Sequence, residues 1–378
     1  MSPTVLPVRN RTTLRDFLRL PHALYATDSL WVPPLTSEVK KTLDVSCNPY
    51  FRRAHLERFV CYDHDGAAGR VAVVLNPAHV ETFRDKTAFF GFFEARNEPA
   101  VARALFSAAE SFCRAHGAEF LEGPFNPNHY SELGLQVSRF DRPPSFFQTY
   151  NPPYYEELLV SSGFREVARI HTRRNEHIAS YVSDHLRPWK APMEVPEYTV
   201  RCVNMKDLPN ELERIREVCN DAFADNWHFL PLSREEYLFA AEYLHLVTRP
   251  ELVIIVEHKG VPVGVLECVL DVNPLLRRFN GRSGPLKIVR YLRARKNVKH
   301  LIIFAVGIRK AYQKTRVFAL LLNAVCGLAE HYDVLETTWM SDSNVLAVRA
   351  AEVLGLERDK EFAIYRKSVA DGKQGETP

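Results

Sequence analysis

The stretch VARALFSAAESFCRAHGAEFLE, residues 101–122, is similar in pattern to a second stretch, VFALLLNAVCGLAEHYDVLE, residues 317–336. In both stretches apolar residues recur at helical spacing before a short apolar run, which predicts a helix followed by a strand. Each copy then reaches an asparagine, a short helical pattern and a glycine, from Asn151 to Gly163 and from Asn344 to Gly355. The order indicates that the chain contains one structural unit twice.

The elements around each copy follow the same plan, in which a hairpin and a further strand precede the helix. In the first half we predict strands at 59–63, 70–76 and 86–94 and a helix at 98–116 that ends at Gly117. In the second half we predict a strand at 198–203, helices at 208–224 and 233–246, strands at 252–258, 263–270 and 300–307, a helix at 315–331, a strand at 334–340, a helix at 344–354 and a strand at 362–367. The predicted domains are 1–175 and 198–367, with a linker at 176–197 and a disordered tail at 368–378.

Composition fits two ordered domains. The chain has 378 residues, of which 46% are hydrophobic and 25% charged, values typical of globular proteins. Its seven cysteines are odd in number and never form C-x-x-C, which favours reduced thiols in a cytoplasmic protein. We find no metal-ligand spacing among the histidines, no signal-peptide core and no apolar run long enough for a transmembrane segment, so no metal and a cytoplasmic location are expected.

Positive charge is concentrated in one part of the second half. The net charge is only +3, yet residues 272–329 contain eight arginines and five lysines and no acidic residue. Such segregation favours an anionic partner, and a solvated basic face is the alternative. Residues 282–300 also place Leu286, Ile288, Val289 and Leu292 among basic residues, a pattern that fits either a membrane-surface segment or a path for phosphates.

The order of elements resembles the GNAT N-acyltransferase superfamily, and in particular little-characterised bacterial proteins with two such units in tandem. The resemblance covers most of residues 50–367 and rests on the segments FFGFFE (89–94), YNPPYYEELLVSSGF (150–164), FADNWHFLP (223–231), DVNPLLRRFNGR (271–282), GIRKAYQK (307–314) and LETTWMSDSN (335–344). It implies a mixed α/β (α+β) fold of two tandem GNAT-like units, each a twisted mixed sheet flanked by helices.

The resemblance implies acyl-CoA or acetyl-CoA as co-substrate, held by a strand and a glycine-rich turn at a helix N-terminus. The residues of this sequence that match that region are Gly307, Ile308, Gln313, Lys314, Thr315, Arg316 and Asn344. Arg316 and Phe318 stand where the turn has its two glycines, in a chain with only 16 glycines. Either Lys314 and Arg316 contact phosphates by charge, or the long side chains fill the phosphate position. Asn344 can instead cap its helix.

Three carboxylates are candidate proton acceptors for an amine: Glu267, Asp271 and Glu336. The tyrosine that serves many superfamily members as general acid has no counterpart here, because Ala351 and Leu159 occupy the matching positions. Candidate substrate contacts are Asn226, Trp227, Asn273, His129 and Tyr150, the last two in a long proline-punctuated aromatic loop after Phe125. For Asp271 and Asn273 a turn is the alternative, and for Trp227 a buried anchor.

These residues and the resemblance lead to three hypotheses. The first is acyl transfer from acyl-CoA or a similar activated donor to a small-molecule amine. The second is a non-catalytic GNAT-fold protein that binds an anionic ligand or partner through the basic segment 277–316. The third is tRNA-dependent aminoacyl transfer, which no RNA-binding motif supports.

Overall fold

The computed structural model describes residues 3–191, 193–242 and 244–369. Most of the predicted disordered tail therefore lies outside the described residues. Ser368, at its start, still pairs with Phe120 as the end of the last strand. Across the described part of the chain, no helix combines the length and apolar character needed to cross a membrane.

Fifteen strands are formed by the described residues. In chain order they are β1 (Thr4–Pro7), β2 (His55–Asp63), β3 (Gly66–Leu75), β4 (Thr87–Ala95), β5 (Phe120–Gly123), β6 (Phe125–Asn126), β7 (Glu132–Leu133), β8 (Leu135–Gln136), β9 (Arg165–Asn175), β10 (Tyr198–Cys202), β11 (Val253–His258), β12 (Val261–Leu270), β13 (His300–Ile308), β14 (Val334–Thr337) and β15 (Glu357–Ser368).

Fourteen α-helices accompany these strands within the same described ranges. They are α1 (Arg11–Leu24), α2 (Thr36–Thr42), α3 (Pro77–Phe83), α4 (Pro99–Ala115), α5 (Tyr155–Ser161), α6 (Ile178–His185), α7 (Arg187–Lys190), α8 (Leu208–Ala222), α9 (Arg234–Ala241), α10 (Leu244–Val247), α11 (Asn273–Leu276), α12 (Pro285–Ala294), α13 (Val317–Ala329) and α14 (Val345–Val353). The segment predicted as a linker contains α6 and α7.

The chain divides into two compact units. Unit 1 comprises the described residues within 1–170, 276–283 and 361–378, and unit 2 those within 171–275 and 284–360. The division falls within β9 and β15, so each of these strands contributes residues to both units.

Unit 1 is built on a sheet in the order β1-β2-β3-β4-β5-β15. β4 and β5 are parallel, and the other neighbouring pairs are antiparallel. α4 packs on this sheet through a buried stripe that includes Val101, Leu105 and Ala109. The predicted glycine stop is confirmed, since Gly117 follows α4 at a φ of +73°, the left-handed conformation that glycine adopts most readily.

Unit 2 repeats this arrangement with the order β9-β14-β13-β12-β11-β10. β13 and β14 are its parallel pair. α8 buries Ile215 and Val218 against the sheet, and α13 buries a long apolar stripe that begins at Val317. α9 begins with a capping box, in which Ser233 and Glu236 exchange side-chain-to-backbone hydrogen bonds.

Candidate active site

The two parallel strands of unit 2, β13 and β14, separate halfway along β13. Residues 300–303 of β13 pair with residues 334–337 of β14. Thr338 makes the last contacts, donating its backbone N–H to Ile303 O at 3.0 Å and its hydroxyl to Phe304 O at 2.9 Å. The chain then turns to β9, where Met340 and His171 exchange two backbone hydrogen bonds of 2.8 and 3.0 Å. We call this separation of β13 from β14 the unit 2 divergence.

A β-bulge in β13 lies at the unit 2 divergence. Cys268 of β12 pairs with Ile303, whereas its neighbour Glu267 pairs with Ala305, so that Phe304 is the extra residue. A bulge redirects the strand that contains it. It therefore helps β13 to leave β14, and it places Glu267 directly across from the point of separation.

Glu267 is a buried carboxylate in polar but uncharged surroundings. Its residue is 6% exposed. Cys219 Sγ from α8 lies 3.8 Å from Oε1, and the Tyr237 hydroxyl from α9 lies 3.5 and 3.4 Å from Oε1 and Oε2. Burial raises the pKa of Glu267 to about 7, although Cys219 and Tyr237 act in the opposite direction. A carboxylate with that pKa can accept a proton near neutral pH.

The other two candidate carboxylates meet at His300, the first residue of β13. His300 Nδ1 lies 3.2 Å from Asp271 Oδ2, and Nε2 lies 2.9 Å from Glu336 Oε2. Arg174 of β9 also approaches Glu336, at 3.1 Å. Burial disfavours the charged imidazole, but the two carboxylates outweigh it and raise the pKa of His300 to about 9. These side chains form a cluster of fixed charges in which Asp271 and Glu336 are engaged with cations.

The residues predicted to bind acyl-CoA lie mainly along the end of β13 and the start of α13. Ile308 pairs with Gly264, and Gly307 pairs with Val265. In the turn that follows, the Thr315 hydroxyl donates to Tyr312 O at 2.7 Å. Lys314 and Arg316 are exposed, whereas Phe318 is half-buried in the first turn of α13. Asn344 uses its side chain to cap α14, accepting from Ala347 N at 3.1 Å.

Three of the predicted substrate residues lie in unit 2. Asn226 accepts a backbone hydrogen bond from Phe229 N at 3.1 Å, which closes the loop between α8 and α9. Trp227 in that loop is 47% exposed, so the expectation that a buried Trp227 pins the loop is wrong. Asn273 donates its backbone N–H to Asp271 Oδ1 at 3.2 Å. This contact is the predicted turn at the start of α11.

The other two, His129 and Tyr150, lie in unit 1. The His129 ring packs at 4.2 Å from the Phe125 ring and at 4.8 Å from the Phe89 ring, measured between centroids. The Tyr150 hydroxyl donates to Asp28 Oδ2 at 2.6 Å. Both side chains thus take part in the packing of unit 1.

Unit 1 contains the corresponding divergence of β4 from β5. There the segment that follows β5 occupies the opening. β4 pairs with β5 only over residues 87–89 and 120–122, and β4 also carries an extra residue, near Phe92. The chain leaving β5 stays against β4, where Asn126 Oδ1 accepts from Phe92 N at 2.7 Å. A Cβ on Gly91 would lie 1.7 Å from Phe125 O, so only glycine allows this close approach.

A comparable carboxylate, Glu94, lies further along β4 in unit 1, where its side chain is 13% exposed. Its Oε2 accepts hydrogen bonds from the Tyr25 and Tyr155 hydroxyls at 2.8 and 2.7 Å. The buried Arg70 guanidinium lies 3.5 Å from Oε1. Burial raises the pKa of Glu94 and lowers that of Arg70. Unlike Glu267, Glu94 is tied to a cation and to two phenols.

Sequence reasoning singled out Glu267 but missed its partners and His300. Cys219 and Tyr237 lie 48 and 30 residues before Glu267, and each follows an ordinary helical pattern. The sequence marks His300 only as the first residue of a predicted strand. No local signal reveals these contacts, because packing of the helices on the sheet creates them.

Comparison with solved structures matches this two-unit architecture over the whole chain. A tandem GNAT protein from the clavulanic acid biosynthesis pathway superposes with a TM-score of 0.58 at 12% identity, covering 98% of this chain and 100% of the other. The chain has the tandem GNAT fold. A GCN5-related N-acetyltransferase from Sphaerobacter thermophilus matches this fold with a TM-score of 0.51 at 16% identity, over 98% of this chain and 97% of that one.

Two bacterial proteins resemble the tandem GNAT chain in sequence nearly end to end. Protein YghO of Escherichia coli K12 is 26% identical over 370 residues, covering 95% of this chain and 94% of its own. Bacterial ceramide synthase of Caulobacter vibrioides is 27% identical over 378 residues, covering 97% of each chain. No family model matches the chain.

Proposed function

We propose that the protein is an N-acyltransferase whose reaction takes place in unit 2. It transfers an acyl group from acyl-CoA, or a similar thioester, to an amine. The observation that carries the proposal is the buried Glu267, with a pKa near 7, directly across from the bulge where β13 separates from β14. This combination supplies a proton acceptor beside the point where β13 leaves β14.

In the proposed reaction the acyl thioester lies along β13 past Phe304. The amine nitrogen attacks the thioester carbonyl carbon, and Glu267 accepts the proton that the nitrogen loses. The C–N bond forms, the C–S bond breaks, and the thiolate departs and is protonated by solvent. Holding both reactants in register accounts for most of the acceleration, and proton transfer contributes about 10²–10⁴-fold.

We assign the phosphates of the donor to Lys314 and Arg316 at the start of α13. Both side chains are exposed. They occupy the turn that is rich in glycine in the GNAT superfamily. Arginine and lysine can replace backbone amides as phosphate contacts because they carry full charge.

The relatives support an amine as the acceptor. The Caulobacter relative is named a ceramide synthase, and a ceramide is formed by N-acylation of a long-chain amino alcohol. We therefore include a lipid-like amine among the acceptors to be tested.

The test is a transfer assay on the purified full-length protein. Acetyl-CoA and palmitoyl-CoA are each offered with a long-chain 2-amino alcohol and with a short amine. Thiol release gives the rate, and mass spectrometry identifies the amide. We expect amide formation with at least one donor and a rate that increases as the pH rises through about 7, because Glu267 must be deprotonated.

The decisive variant is Glu267→Gln, which preserves shape and removes the base. It should lower kcat/KM about 10²–10⁴-fold. Glu251→Gln is the matched control in unit 2, because the Glu251 side chain is 57% exposed, and it should leave kcat/KM unchanged. Absence of thiol release with every donor and acceptor would overturn the proposed reaction. Full activity in Glu267→Gln would overturn the role of Glu267 alone.

A further inference from the structure

One side of helix α12 is anchored to unit 2. Tyr291 is 7% exposed, and its hydroxyl donates to Leu246 O at 2.7 Å. Just beyond the helix, Arg295 donates to His245 O at 2.8 Å and to Leu246 O at 2.6 Å. These contacts fix the orientation of α12 on α10.

The other side of α12 presents large aliphatic side chains to solvent. Leu286 is 66% exposed, Ile288 44%, Val289 48% and Leu292 40%. At about 100° per residue these four positions span an arc of about 160° whose centre lies about 140° from Tyr291. A helix of ten residues thus exposes four aliphatic side chains together, an arrangement that commonly marks an interaction site.

Cations accompany this apolar arc. Arg290 and Arg293 are exposed on the same helix, and Lys296 and Lys299 are exposed just after it. The surrounding segment, 272–329, contains no acidic residue to neutralise them. A partner that complements this surface carries negative charge at its own surface and has an apolar layer below that surface.

We propose that α12 docks on the surface of an anionic lipid bilayer. Its aliphatic arc enters the boundary between headgroups and acyl chains, and the basic side chains contact lipid phosphates. A nucleic acid matches the charge but gives no role to four exposed aliphatic side chains. An anionic lipid surface matches both features. This inference does not depend on the proposed acyl transfer.

Vesicle flotation with the full-length protein tests the proposal. Vesicles of phosphatidylcholine with phosphatidylglycerol are compared with vesicles of phosphatidylcholine alone. We expect binding to the anionic vesicles that weakens with added salt. Leu286→Gln, Val289→Gln and Leu292→Gln combined should reduce partitioning at least about tenfold. Arg290→Gln with Arg293→Gln should reduce it about 25-fold at low salt, since each cation near an anionic surface contributes about fivefold.

The matched control is a triple variant of exposed valines in unit 1: Val45→Gln, Val160→Gln and Val167→Gln. These side chains are 57%, 55% and 48% exposed, and the control should bind vesicles like the wild type. Thermal unfolding verifies that each variant is folded.

Three results would overturn the proposal. They are no binding to anionic vesicles, equal loss in the α12 and control variants, and equal binding to neutral vesicles. Sedimentation adds a fourth: if the wild type self-associates and only the α12 triple variant is monomeric, the arc is an interface between copies of this chain.

Discussion

In both units a pair of parallel strands separates, β4 from β5 in unit 1 and β13 from β14 in unit 2. The opening between the strands is filled in one unit and not in the same way in the other. In unit 1 the chain that leaves β5 stays on β4, and Asn126 accepts a hydrogen bond from Phe92 N at 2.7 Å. In unit 2 the chain that leaves β14 makes its last contacts through Thr338 and then pairs with β9 at His171. Repeating a fold therefore does not repeat its site, because the segment after one short strand decides whether the opening is filled.

The carboxylates Glu94 and Glu267 follow the same contrast. Glu94 in unit 1 faces Arg70 and accepts from two tyrosines. Glu267 in unit 2 is surrounded by a thiol and a phenol, with a pKa raised by burial to about 7. The first arrangement stabilises the unit, whereas the second leaves a proton acceptor near neutral pH.

The largest expected effect comes from Glu94→Gln. The variant places an amide beside the buried Arg70 guanidinium, and breaking a buried pair typically costs about 3–5 kcal/mol. We expect a comparable fall in the free energy of unfolding, measured with denaturant, and an unchanged kcat/KM for the folded fraction. A loss of kcat/KM as large as that expected for Glu267→Gln would remove the distinction between the units.

The second effect is a pH dependence of stability from Glu267. Its pKa is about 7 in the folded protein against 4.5 for an ordinary glutamate. The folded state therefore binds more protons between these values. The free energy of unfolding should fall as pH rises from 4.5 through 7, by up to about 3 kcal/mol.

Burial also raises the pKa values of Glu122 and Glu132 to about 7, and these groups add to the fall in every variant. Glu267→Gln should therefore reduce the fall by the contribution of Glu267, and Glu251→Gln should leave it unchanged. The stabilisation from His300 is lost between pH 6.5 and about 9 in both the wild type and Glu267→Gln, so the difference between the two pH profiles isolates the contribution of Glu267. Identical pH profiles for wild type and Glu267→Gln would contradict the raised pKa.

The smallest effect is expected for arginines in the turns that follow β4 and β13. Arg316 is exposed at the start of α13, whereas Arg96, between β4 and α4, is paired with Asp63 at 2.6 Å. Arg316→Ala should weaken palmitoyl-CoA binding about tenfold in calorimetry, the loss of one charged hydrogen bond. Arg96→Ala should leave the affinity unchanged, and equal losses in both variants would refute a specific phosphate contact at Arg316.

Much of the fold was predictable from local patterns. Helix α4 with its stop at Gly117, the capping box of Ser233 and Glu236, and the order of strands in each half all follow from residues close together in sequence. The glycine at position 91 gave no comparable signal, because its reason is the approach of Phe125 O from another segment.

The duplicated order of elements, the acid-free basic stretch and the candidate carboxylates can be read from the amino-acid sequence, since each depends on residue type and spacing alone. Packing in three dimensions sets which carboxylate is isolated, which strand divergence is filled and which face of α12 is exposed. These properties depend on desolvation and on contacts between residues far apart in the chain. Glu267 illustrates the reason: its pKa is set by burial among groups 30 and 48 residues away, and no local pattern encodes that environment.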